Sequence, residues 1–296
     1  MTFHPSERSG IGLMLGSVVL FSVNALLVRG LSLAVPAADG WVASLFRGVI
    51  GLAVVALFFR KGFRPSHLFK HRLLMLRGLL GGFGILALYI TVVELGAGRA
   101  VIINLSYPIF GSLFATLFLG ESLPARAWAW MVAGFGGLLV FLGGGVDFAI
   151  GPYDLLALVG AVAAGAVVVM IRQLRHSEST ATIYSAQCLA SALIAVGPAT
   201  GATLQLPTPA LVLMTLAAVL VALAQLAMTH AYRSLSVARG SSIQMLLPLV
   251  TAIGGWALFG ERFSAVELGG AALTLFATMQ VLSAPSRMPF EKTATT

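Results

Sequence analysis

Long apolar runs, each broken after about twenty residues by a short polar joint, fill the chain almost from end to end. A hydrocarbon core of roughly 30 Å takes about 20 mostly apolar residues to cross as a helix. Ten such runs are predicted, at residues 10–29, 40–59, 73–93, 99–120, 126–145, 153–171, 181–200, 209–231, 238–260 and 265–283. They are far too long for barrel strands, and a helix satisfies its backbone groups within its own segment, as lipid demands. The expected fold class is therefore an all-α integral membrane protein with ten transmembrane helices. The joints leave no room for a soluble domain between spans. The first apolar run, Gly10 to Val28, exceeds the roughly 7–15 residues of a cleavable signal and is read as a span.

Composition agrees. Of 296 residues, 58% are hydrophobic and 9% charged, with a mean hydropathy of +0.97. A soluble domain carries roughly 25% charged residues, so this chain could not present a wettable surface. The net charge of +8 does not imply a nucleic-acid partner, because the basic residues are strung along short joints and read as orientation signals. The longest joint, RKGFRPSHLFKHR from Arg60 to Arg72, is placed in the cytoplasm by the positive-inside rule. Threading ten spans from it puts both termini in the cytoplasm, with 14 of the 18 Lys and Arg on that side. Arg29, Arg99 and Arg262 fall on the far side, and Arg47 lies inside a span. The single cysteine, Cys188, excludes an internal disulfide and reads as packing.

The chain also repeats. Shifted by 140 residues, 86–142 lies over 226–282 without a gap, pairing Leu95 with Leu235, Arg99 with Arg239, Ile103 with Ile243, Pro108 with Pro248, Gly120 with Gly260 and Glu121 with Glu261. Each half holds five spans, an odd number, so the second copy enters the membrane from the opposite side. The expected organisation is two inverted five-helix repeats, 1–146 and 147–296, the second carrying a cytoplasmic tail. Inverted repeats around a site near the midplane mark secondary transporters.

Two stretches related by the repeat, NLSYPI at 104–109 and QMLLPL at 244–249, set a proline in mid-span. Proline removes a helix hydrogen bond and clashes with the carbonyl four residues back. Pro108 and Pro248 are thus expected to kink spans 4 and 9, as hinges or as part of a cavity wall, static kinks being the alternative.

Pro108 followed by Phe118-Leu119-Gly120-Glu121, the matching Pro248 with Leu258-Phe259-Gly260-Glu261, Arg47 in span 2 and Phe21-Ser22-Val23-Asn24 in span 1 resemble the drug/metabolite transporter superfamily, EamA type. The resemblance covers nearly the whole chain and is most like the bacterial amino-acid exporters of that group. Span 1 departs from it in lacking a tryptophan before the Ser-x-Asn stretch. The resemblance implies a bacterial cytoplasmic (inner) membrane protein whose spans 1–4 and 6–9 line the path, with spans 5 and 10 peripheral.

Polar groups in lipid are costly, so those within spans are expected to face protein or a cavity. Asn24, Tyr89, Asn104, Tyr107, Gln225 and Gln244 are the expected substrate-binding residues; Ser22, Ser106, Gln187, Thr229, Ser241, Ser242 and Gln280 are further polar positions. Asn104 and Gln244 each precede a proline by four residues, so each either caps the carbonyl that the proline frees or meets substrate. Arg47 lies about seven residues into span 2 and either snorkels to the interface or acts as a charge partner for a substrate carboxylate. None of the ten Asp and Glu falls at the centre of a span. That argues against a proton/cation multidrug exchanger and suits a neutral or zwitterionic ligand.

No HExxH, no GxSG with a buried histidine and no mid-span Asp pair is present, so neither an enzyme nor a metal site or cofactor is expected. The expected function is a secondary transporter that exports amino acids or similar small metabolites by alternating access. Its partners are a small-molecule substrate and the bilayer. Carriage of another metabolite (a nucleotide-linked compound) or a drug, or a non-transport scaffold, remain as alternatives.

Overall fold

The computed structural model describes residues 5–35, 38–95, 103–141, 151–203, 205–259 and 264–284. Among these, eleven helices of eight residues or more carry the architecture: α1 (Pro5–Ala34), α2 (Gly40–Phe58), α3 (Arg72–Leu95), α4 (Tyr107–Leu119), α5 (Ala125–Phe141), α6 (Pro152–Leu174), α7 (Thr180–Thr203), α8 (Thr208–Ala231), α9 (Val237–Gln244), α10 (Leu247–Phe259) and α11 (Ala265–Ser283). No strand occurs among the described residues. Among the described residues, seven spans are long and apolar enough to cross a membrane, α9 and α10 together making one of them. The 60–70 segment with α3 passes the same test as a pair bent by 94°, while α4 and α5 are apolar but shorter. Residues 96–102 and 142–150, beside those two shorter helices, lie outside the described residues, as does the expected boundary between halves at 146/147.

Local chemistry explains where the helices begin and end. Asp39 caps α2 by accepting from the Val42 N–H at 3.0 Å. Asp154 reaches back to the Gly151 N–H at 2.8 Å, and Ser264 and Glu267 bond reciprocally at the start of α11. Gly120, with φ of 64°, ends α4 in the left-handed conformation that costs glycine nothing. Its partner in the repeat, Gly260, lies outside the described residues together with Glu261.

The basic joint after α2 is more structured than a plain loop. It folds into a 3-10 turn (Arg60–Gly62) and a helical turn (His67–Lys70). Both are docked on the start of α7: His67 Nδ1 lies 2.6 Å from Glu178 Oε1, and the Arg64 N–H donates to Thr182 Oγ1 at 3.1 Å.

Packing follows a pattern of exchanged partners. α1 lies along α8 and α3 along α6; α2 pairs with α7 and α5 with α11. α4 packs on α6, while α9 and α10 pack on α1. Small residues bring these backbones close. A Cβ added to Gly48 would sit 2.7 Å from the Cys188 carbonyl, one on Gly78 2.6 Å from that of Ala186, and one on Gly137 2.8 Å from that of Gly270. The outward faces are apolar, with Leu57, Phe118, Trp256 and Val266 all exposed. This is the inverse of a water-soluble surface and fits a lipid surround.

Candidate functional site

The two spans that carry the repeated prolines are interrupted rather than merely bent. Residues 105–106 and 245–246 are turns, and a new helical segment starts directly after each. Pro108 and Pro248 thus stand in the first turn of α4 and α10, where a missing N–H costs little because that group has no intrahelical partner. The second break is closed by short turn bonds, Met245 N–H to Ser241 and Ser242 carbonyls and Leu246 N–H to the Ile243 carbonyl. Ser106 N–H to the Ile103 carbonyl is the counterpart in the first.

Between the breaks lies a cavity of about 220 Å³. Arg47 from α2, Asn104 and Tyr107 from the first break, Gln187 from α7, Gln225 from α8 and Gln244 from α9 supply its polar wall. Apolar side chains such as Phe21, Leu88, Val168, Met228 and Leu247 complete it. No aspartate or glutamate is among the described lining residues.

Arg47 Nη2 donates to Gln225 Oε1 at 3.0 Å, so this arginine reaches inward across the bundle instead of snorkelling to an interface. Gln244 Nε2 donates to Ser17 Oγ at 2.8 Å and lies 3.1 Å from Met14 Sδ, so its nitrogen is held by α1 and not by a carbonyl of its own break. Asn24 stands apart: its Nδ2 donates to the Ala217 carbonyl at 2.8 Å, tying α1 to α8. The neighbouring Ser22 hydroxyl lies 2.9 Å from the Val18 carbonyl and 3.3 Å from that of Leu247. The side chain of Tyr89 lies outside the described residues. Of the positions expected to bind substrate, the fold therefore brings Asn104, Tyr107, Gln225 and Gln244 together, with Arg47 among them.

One residue the sequence reading passed over is Arg77, counted there only among the Lys and Arg of the cytoplasmic side. It is fully buried in α3, and none of its three guanidinium nitrogens has a hydrogen-bond partner. Its position five residues into the apolar run that starts at 73 was the available signal.

Below the cavity, polar groups are densely paired. Glu121, just past α4, accepts from the Val237 N–H at the start of α9 at 3.0 Å and lies 3.4 Å from Arg172 Nε. Arg172 Nη1 donates to the Tyr232 and Arg233 carbonyls, each at 2.7 Å. This clasp joins the ends of α4, α6 and α8 to the start of α9. Burial pushes the Glu121 carboxyl up, and the Val237 N–H and Arg172 only partly offset it.

A larger crevice of about 710 Å³ between α5, α10 and α11 has Phe141, Ile253, Trp256 and Leu275 in its walls and lacks the convergent polar groups that orient a metabolite. No group of three or more His, Cys, Asp or Glu among the described residues is placed to hold a metal.

A many-spanning helical bundle with an amide-lined cavity at two broken spans defines a membrane transporter. The EamA-like transporter family matches residues 8–143 and again 151–283, and the chain belongs to that family. Named relatives are transporters too. A pseudopaline exporter of Pseudomonas aeruginosa is 29% identical over 193 residues, 64% of this chain and 66% of that protein. The match thus spans just under two thirds of the exporter's length. A riboflavin transporter of Rhizobium johnstonii is 30% identical over 207 residues, 70% of this chain and 68% of the other. An S-adenosylmethionine uptake transporter of Rickettsia bellii is 23% identical over 92% of this chain and 93% of its own length. A solved crystal structure shares the fold with a TM-score of 0.74 at 18% identity, covering 93% of this chain and 97% of that one. The expectation of a transporter of EamA type, and not an enzyme, agrees with these matches.

Proposed function

We propose that the protein is a ten-span secondary carrier of amino acids or similar small metabolites, built as two inverted five-helix halves (1–146 and 147–296) and working by alternating access. The observation that carries this reading is the cavity between the two breaks, lined by Arg47, Asn104, Tyr107, Gln225 and Gln244. Support for the repeat comes from the two stretches matched by one family and from the exchanged helix partners: α1 on α8 answers α6 on α3. Pro108 and Pro248 act as hinges in this scheme, since each sits where a helical segment restarts after a two-residue turn. The carrier resides in a bacterial cytoplasmic membrane with both termini inside, as the basic joints favour. Export, the direction in the name of the pseudopaline exporter, is the direction proposed.

A second reading concerns cargo alone. Relatives named for riboflavin and for S-adenosylmethionine favour carriage of other metabolites on the same scaffold. Counterflow into proteoliposomes preloaded in turn with amino acids, nucleosides and flavins separates the two. Exchange of a labelled amino acid, lost in Asn104→Leu and Gln244→Leu proteins that still fold, supports the first. Exchange of only the other classes moves the cargo to the second, and exchange that survives both substitutions removes the amides from the site.

A further inference from the structure

Arg77 begins about a turn and a half inside α3, close to the basic joint. A helical side chain leans toward its own N-terminus, and a long cation near a helix end snorkels the same way, out to the interface. Arg77 does neither. Its Nη1 lies beside Gly81, one turn further along, where an added Cβ would stand 3.0 Å from that nitrogen and 3.3 Å from Gln187 Cδ. Gly81 and Gln187 both line the cavity, so the guanidinium lies directly behind its wall. A side chain there would crowd the guanidinium.

Arg47 lines the cavity itself, within electrostatic range of Arg77. One of its nitrogens is bonded to Gln225, while its Nε is buried without a partner. Gln187 Oε1, from the cavity lining, is also buried and unbonded. Among the acids whose side chains are described, none answers these cations. Glu7, Asp39, Glu121, Asp154, Glu178 and Glu267 all stand at helix ends and hydrogen-bond there, while the side chain of Glu94 lies outside the described residues. A fully buried guanidinium and a half-buried one, with free donors and no counter-ion among the described side chains, leave a cationic pair that an anion would complete.

We infer that Arg47 and Arg77 form an anion subsite of the cavity and that the cargo is a small carboxylate with net negative charge, an acidic amino acid or dicarboxylate. The inference rests on the cavity being the substrate site and replaces the neutral or zwitterionic ligand that the absence of mid-span acids suggested. Carboxylate suits the planar, forked donor set of arginine. Size agrees: at roughly 30 Å³ per water, 220 Å³ is about seven waters, room for a metabolite of that class. The amides Asn104 and Gln244, on the repeated breaks, would read the other polar groups of the ligand.

The test is ligand-dependent thermal stability of the full-length protein in lipid nanodiscs, with succinate, glutamate, glutamine and inorganic phosphate as probes. Glutamate and succinate are expected to raise the melting temperature by a few degrees, and glutamine, the same size without the charge, to leave it unchanged. Arg47→Gln and Arg77→Gln should weaken glutamate binding between about tenfold and a hundredfold. Arg77→Met provides a readout independent of any ligand. It removes an unpaired buried cation and should melt at or above the parent temperature, whereas an arginine held by structural partners would lose stability. Equal shifts with glutamine and glutamate, a shift with phosphate alone, or an Arg77→Met protein that melts lower would each overturn the inference. Binding is measured without transport, so glutamate that binds but is not exchanged in counterflow would refute the carrier reading and leave the anion subsite standing.

Discussion

The cavity and the Glu121–Arg172 clasp sit within one bundle and are both polar, yet they treat their polar atoms in opposite ways. At the clasp, one carboxylate and one guanidinium meet a helix N-terminus and two carbonyls, and both side chains are almost sealed from solvent. In the cavity wall, Arg47 keeps a free nitrogen and Gln187 an unbonded oxygen, and Arg77, just behind the wall, has no partner. A saturated cluster holds helix ends together. An unsaturated one waits for something that the protein itself does not supply, which is what a carrier's binding site requires.

The comparison can be broken most forcefully at the clasp. Arg172→Leu leaves Glu121 buried opposite an apolar side chain and frees two carbonyls, so a loss of about 3–5 kcal/mol of folding stability is expected in chemical unfolding from nanodiscs. A smaller loss would mean that the clasp is incidental. Within the cavity the effect should fall on transport instead: Gln225→Leu removes the acceptor for Arg47 Nη2 and should slow exchange tenfold or more with little change in melting. Packing provides a middle case. Gly137→Ala forces a methyl against the Gly270 backbone and should cost roughly 1–3 kcal/mol, whereas Gly136→Ala, which meets nothing within 4 Å, should be neutral.

The smallest effect expected is that of pH. The Glu121 carboxyl is pushed up by burial, so the clasped state holds its proton more tightly than an open, hydrated state would. The stability linked to this proton is therefore complete below the ordinary glutamate value and declines as pH rises through the raised one. Melting temperature followed from pH 4 upward should show this decline, and Glu121→Gln should flatten it.

Much of this was legible in the chain. The runs of apolar residues located the helices, and polar residues inside them pointed to Asn104, Tyr107, Gln225 and Gln244 because lipid tolerates few such groups. Asn24 was placed in the cavity wall by the same logic, but it bonds to α8. Which way a mostly apolar span is turned about its axis is set by packing, and periodicity is weak where neighbours and lipid are both apolar. The prolines were read as kinks, while the structure restarts helices there, a distinction that depends on turn bonds at 105–106 and 245–246. The partners of Glu121 could not be seen either, since Arg172 and Val237 are distant in sequence. Arg77 escaped because position along a span tells how deep a residue starts, not in which direction its side chain runs.

The central claim, that one cavity is opened in turn to each side of the membrane, is tested most directly by single-cysteine labelling. In a Cys188→Ala background, cysteine placed at Gln244 is treated with a membrane-impermeant maleimide from either face of oriented vesicles. Alternating access predicts labelling from both faces, with Arg172→Leu shifting it toward the clasp side. Labelling from one face only, unchanged by loss of the clasp, would contradict the account.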